Sequence, residues 1–102
     1  MVKRLTFVWK RPDISDATFR ELWLGEHAAY ARQLPGLIRY SIDFVTEAPE
    51  GAPSGIATVV FASREALDRA FATAGLKEDL LRTRDAFASA VQILFVEECP
   101  VV

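Results

Sequence analysis

Two side chains of this 102-residue chain combine the types and spacing that proton transfer needs: His27, its only histidine, and Tyr40. An imidazole titrates near neutral pH. A phenol keeps its proton there and can offer it to a substrate oxygen. Aimed at one apolar interior, the two would form a general acid–base pair. The other readings of His27 are a half-buried imidazole bonded to a backbone carbonyl, or a ligand to metal or haem. A single histidine is a poor metal site, so no metal and no cofactor are expected. Tyr40 also reads as a structural tyrosine whose buried hydroxyl finds a partner.

A helix and the strand after it must position this pair. Phe19, Leu22, Trp23, Tyr30 and Leu34 recur at helical spacing. Ser15 stands at the N-cap with Asp16 in the first turn, and Pro35-Gly36 ends the helix. On a regular wheel of about 100° per residue, His27 falls at the edge of the inward arc and Glu26 near its centre. A carboxylate there must be paired, protonated or at the rim. It is either bridged to an arginine such as Arg39 or Arg11, or a cavity acid of raised pKa. Leu37 to Val45 then reads as a strand, with Ile38, Tyr40, Ile42 and Phe44 on one face.

The rest of the chain supplies the scaffold. Leu5–Trp9, Ile56–Phe61 and Val91–Val96 read as strands, and the Pro- and Gly-rich Thr46–Gly55 as a loop. Ser63 caps a second helix with Ala66, Leu67, Ala70, Phe71 and Ala74 inward, and Gly75 ends it. Leu76 to Phe87 reads as a further short helical piece. The order is βαββαβ, an α+β ferredoxin-like pattern in one domain over residues 1–102. It places four strands in an antiparallel sheet with helices on one face. The strands carry apolar residues on both sides, Leu5, Phe7 and Trp9 against Val8, and Ile93 and Phe95 against Leu94 and Val96. A face of that kind left open predicts a homodimer joined sheet to sheet. Trp9, Trp23, Tyr30, Phe61 and Phe87, with Glu26, are the expected surroundings of a cavity for a flat, apolar or aromatic ligand. Arg82 and Arg84 with Asp79 and Asp85 read as a solvated face.

Composition narrows the partners. Twelve basic and fourteen acidic residues are interspersed, for a net charge of −2, so no basic stripe exists to neutralise nucleic acid. No run approaches the roughly 20 apolar residues of a membrane span, and the opening apolar run is too short for a signal peptide. Cys99 is the only cysteine, so a cytoplasmic location is expected. The hydrophobic fraction of 51% is high for this size and again points to a second buried surface.

The pattern Phe19, Trp23, His27, Leu34-Pro35-Gly36, Tyr40 resembles the EthD family of small dimeric α/β-barrel proteins. The likeness extends weakly to the WKRP end of the first strand, the Phe61-Ala62-Ser63 helix entry and the closing FVEE. It implies ferredoxin-like domains paired through their sheets, each with a cavity between sheet and helices. Members include a methylmuconolactone methylisomerase and proteins tied to ether degradation or polyketide tailoring. His27 and Tyr40 match a histidine and a tyrosine of the isomerase's site. That enzyme's second histidine and its cysteine have no counterpart, since Thr46–Gly55 lacks histidine and the third strand reads IATVVF. The function expected is cofactor-independent acid–base chemistry of isomerase, cyclase or dehydratase type on a small cyclic, aromatic or lactone-like molecule. A non-catalytic carrier of a hydrophobic ligand and a cofactor-free monooxygenase are the alternatives.

Overall fold

Strand register decides which residues face the helices. The computed structural model describes all 102 residues. It contains β1 (Val2–Lys10), β2 (Arg39–Phe44), β3 (Gly55–Phe61) and β4 (Ala88–Glu97), joined antiparallel in the order β2-β3-β1-β4. Both connections that carry helices therefore skip a strand, which makes the ferredoxin-like βαββαβ fold. In β1, Arg4 lies opposite Val59 and Phe95, Thr6 opposite Ala57 and Ile93, and Val8 opposite Gly55 and Val91. Tyr40 in β2 lies opposite Val59, on the same face. Helices cover this side. Leu5, Phe7 and Trp9 alternate onto the uncovered side, beside Thr58, Ile56 and Leu94.

The helices start where their caps stand. Ser15 accepts from the Thr18 N–H, and Ser63 from the Ala66 N–H, each at 3.1 Å. The first helical stretch comprises α1 (Asp16–Leu22), a π-turn (Trp23–His27) and α2 (Ala28–Ala31). The second comprises α3 (Arg64–Phe71) and α4 (Leu76–Asp85), so the piece expected after Gly75 is the longer of its two helices. Ala74, expected inward, is exposed beyond the end of α3. Gly36, at φ +80°, makes the turn from helix to β2. Gly55 opens β3 because the Trp23 ring lies against it; a Cβ there would sit 2.5 Å from that ring. The chain forms a slab of 37 × 37 × 17 Å, one sheet and one helical layer thick. No helix is long and apolar enough to cross a membrane.

Candidate active site

The π-turn sets the position of His27. Its backbone departs from helical geometry at Gly25 (φ −84°, ψ −109°), and the Ala28 N–H reaches back to the Trp23 carbonyl as well as to that of Gly25. One extra residue enters the turn, so side chains beyond it lag by about 100° relative to a regular helix. His27 rotates inward as a result, and Ala28 and Ala31 become buried. Glu26, expected at the centre of the arc, rotates out to the surface. There it meets Arg82 at 3.5 Å, rather than Arg39 or Arg11.

His27 is oriented by a contact from α4. Its Nδ1 lies 2.7 Å from Thr83 Oγ1. The Thr83 hydroxyl also lies 2.8 Å from the Asp79 carbonyl and 3.3 Å from that of Leu80; with its single proton assigned to these carbonyls, it accepts toward His27. Nδ1 therefore carries the hydrogen and Nε2 the lone pair, an assignment read from the hydrogen bonds. Nε2 has no partner in the protein and stays reachable, because Tyr40 Oη is the only side-chain nitrogen or oxygen both shut off and unpartnered. Burial lowers the His27 pKa to about 4, with the nearby Arg84 charge adding to the effect and the Leu80 carbonyl opposing it. At neutral pH the ring is an uncharged base.

Tyr40 is its complement. Burial pushes the phenol up to about 12, against smaller pulls from the Trp23 indole and the Arg32 charge. The indole is close but not at hydrogen-bonding geometry. Tyr40 thus keeps its proton at neutral pH and has no acceptor for it. An unmet buried hydroxyl costs on the order of 1–3 kcal/mol, which a ligand oxygen would return.

Both residues line one cavity of about 400 Å³ between sheet and helices. Trp23 and Phe87 form its aromatic wall, stacked 5.2 Å apart, and His27 stands edge-on to Phe87 at 5.3 Å. Four residues expected there do not line it. Trp9 belongs to the other sheet face and donates its indole N–H to the Gly51 carbonyl at 2.9 Å. Phe61 is fully buried in packed core. Tyr30 swings toward the surface, where its hydroxyl accepts from Arg82 at 3.4 Å. Glu26 leaves with the turn. The cavity also holds polar groups that sequence patterning passes over. Arg4 and Thr6 line it from β1, and Arg84 from the helix otherwise read as solvated. The one available signal was the alternation of β1, which admits either face as the covered one.

No protein-family model and no curated sequence matches this chain. Solved structures do match its fold. An EthD family protein of Bacillus halodurans is 22% identical with a TM-score of 0.79, over 97% of this chain and 100% of its own. A protein of Arabidopsis thaliana is 14% identical with a TM-score of 0.81, over 100% and 99% of the two chains. SnoaB of Streptomyces nogalater, a cofactor-independent oxygenase, is 16% identical with a TM-score of 0.71, over 99% and 95%. What these structures share with this chain is the fold, over nearly its whole length.

Proposed function

We propose that this protein is a small-molecule enzyme working by acid–base chemistry without a cofactor, on a flat cyclic, aromatic or lactone-like substrate. The observation that carries the reading is the opposed hydrogen bonding of His27 and Tyr40 in one cavity. His27 offers a lone pair at Nε2 and Tyr40 an unspent O–H. In this mechanism Nε2 removes a proton from carbon or hydroxyl beside a carbonyl, while Tyr40 donates to the oxygen that becomes enolate-like. The protonated ring then returns the proton at a new position, for isomerisation, or to a leaving hydroxyl, for dehydration. Thr83 holds the tautomer throughout. Trp23 and Phe87 hold the substrate plane and keep water away.

The likeness to SnoaB favours one second reading, a cofactor-free oxygenase in which the same deprotonation precedes reaction with dioxygen. Oxygen consumption separates the two. A screen of lactones, quinols and polyketide-like phenols supplies the substrate. His27→Ala is then expected to lower turnover by roughly 10²–10⁴-fold, and Tyr40→Phe to slow it with the fold intact. Full kcat/KM in His27→Ala would refute the assignment, and ligand binding without turnover would make the protein a carrier.

We also propose that the open sheet face pairs with a second copy of the chain. Leu94 is 42% exposed on that face, opposite Leu5. Sedimentation equilibrium at micromolar concentration should give the mass of two chains; a monomer would refute it.

A further inference from the structure

We propose that the cavity takes a flat apolar ligand bearing a carboxylate, held between the guanidinium groups of Arg4 and Arg84. This deepens the acid–base reading above and rests on the same cavity being the ligand site.

Two arginines reach this cavity from different elements, Arg4 from β1 and Arg84 from α4, and neither is in a salt bridge. Arg4 packs against the Phe71 ring at 4.0 Å. The Arg4 guanidinium makes no side-chain hydrogen bond and no salt bridge to a protein acceptor. The other charged groups lining the cavity do not supply one. Lys77 adds a further cation, and Asp68, the only carboxylate, is engaged by Arg64 at 2.9 Å. A chain of net charge −2 thus lines its cavity with three cations against one occupied carboxylate. Holding like charges together with part of their surface out of water is unfavourable, and a carboxylate between them removes the cost. A guanidinium fork also matches a carboxylate in shape, with two parallel hydrogen bonds. Since 14 of the 20 lining residues are hydrophobic, an aromatic or cyclic acid suits the space better than a bare inorganic anion.

The anion would also act on the base. The Arg84 charge depresses both Arg4, which burial and Arg84 lower to about 10, and His27. Arg84 therefore stands within electrostatic reach of both. Of the cavity's other ionisable groups, Lys77 is a further cation, Tyr40 is neutral at pH 7, and Asp68 is engaged by Arg64. Burial is the larger cause of the low His27 pKa; a bound carboxylate offsets the smaller one, the Arg84 charge, and so shifts His27 upward, in the direction that favours a general base. Substrate charge would then be part of what makes the histidine competent.

The probe is 2-naphthoate with its methyl ester as the uncharged control, titrated by calorimetry into the intact protein. Because His27 is the sole histidine, one imidazole signal in the NMR spectrum reports its titration with and without ligand. The acid should bind at least tenfold more tightly than the ester, and saturation should raise the His27 pKa. Arg4→Met, which keeps a stem over Phe71, and Arg84→Gln should each weaken the acid about tenfold while leaving the ester within twofold. Equal binding of acid and ester, or of acid to wild type and both variants, overturns the anion site while leaving the apolar cavity and its chemistry standing. Binding of neither molecule overturns the anion site and the cavity's role as ligand site together. Arginine-dependent acid binding combined with full turnover in His27→Ala would sink the acid–base reading alone. Should Arg4→Met fail to fold in a melting scan, Arg84→Gln and the acid–ester difference decide.

Discussion

Around α3 and α4 the interior is largely aliphatic, with Leu34, Val59, Leu67, Leu76 and Leu80 packed about Phe61. Toward α1 it is aromatic, with Phe19, Trp23 and Phe87 meeting at centroid distances of 5.2–5.7 Å beside Val8. Branched side chains fill irregular space and close upon themselves. Rigid rings meet edge to face or offset-stacked. The cavity lies where the two clusters fail to merge, and members of both line it. The polar groups His27, Tyr40, Arg4 and Arg84 gather in that gap. The cavity is the seam between the two clusters.

Parallel truncations test this division most strongly. Phe61→Ala and Phe87→Ala each delete a fully buried ring and should each cost about 3–5 kcal/mol in denaturant unfolding. They should part in a second readout, the NMR titration of His27, which only Phe87→Ala should shift. Equal disturbance by both would dissolve the distinction between the clusters.

Acid should weaken the seam before it weakens the rest. Since the folded His27 pKa is about 4 against an ordinary 6.5, the unfolded chain takes up a proton first as pH falls. Stability is then complete above about pH 6.5 and declines toward pH 4, by on the order of 3 kcal/mol. His27→Gln should lack this portion of the pH profile. Coincident profiles would show that burial does not depress the wild-type imidazole.

The smallest contrast lies between the two tyrosines. Tyr40→Phe removes a hydroxyl without a partner and should stabilise the protein by about 1 kcal/mol. Tyr30→Phe loses only an exposed contact with Arg82 and should stay within about 0.5 kcal/mol. Destabilisation by Tyr40→Phe would mean that its hydroxyl is already satisfied.

Local signals in the sequence specified most of the fold. Ser15 and Ser63 cap the helices they precede, Pro35-Gly36 turns the chain into β2, and the four strands form the one antiparallel sheet expected of a βαββαβ chain. His27, Tyr40, Trp23 and Phe87 line one cavity. The misreadings have two physical sources. In β1, period-two alternation separates Leu5, Phe7 and Trp9 from Arg4, Thr6 and Val8 but does not say which set meets the helices. Here the more apolar set faces outward, so Trp9 leaves the cavity and Arg4 enters it. In the first helix, a wheel assumes constant phase, and the turn at Gly25 breaks it. Thr83 and Arg84 sit among charges typical of a solvated helix, and only the approach of α4 to His27 reveals their inward side.

The turn at Gly25 separates two properties that a straight helix ties together, the identity of a residue and the direction in which it points. Upstream, Phe19 and Trp23 are steered by their own periodicity; downstream, every side chain inherits an offset of one place. Changes of length in this helix therefore act differently from changes of composition. Losing a single residue between Leu24 and Glu26 would leave each side chain chemically intact, yet it would restore the carboxylate to the interior and send the imidazole aside. The direction of His27 is thus encoded in a count, and insertions or deletions here change which side chains face the cavity rather than only the span of the helix.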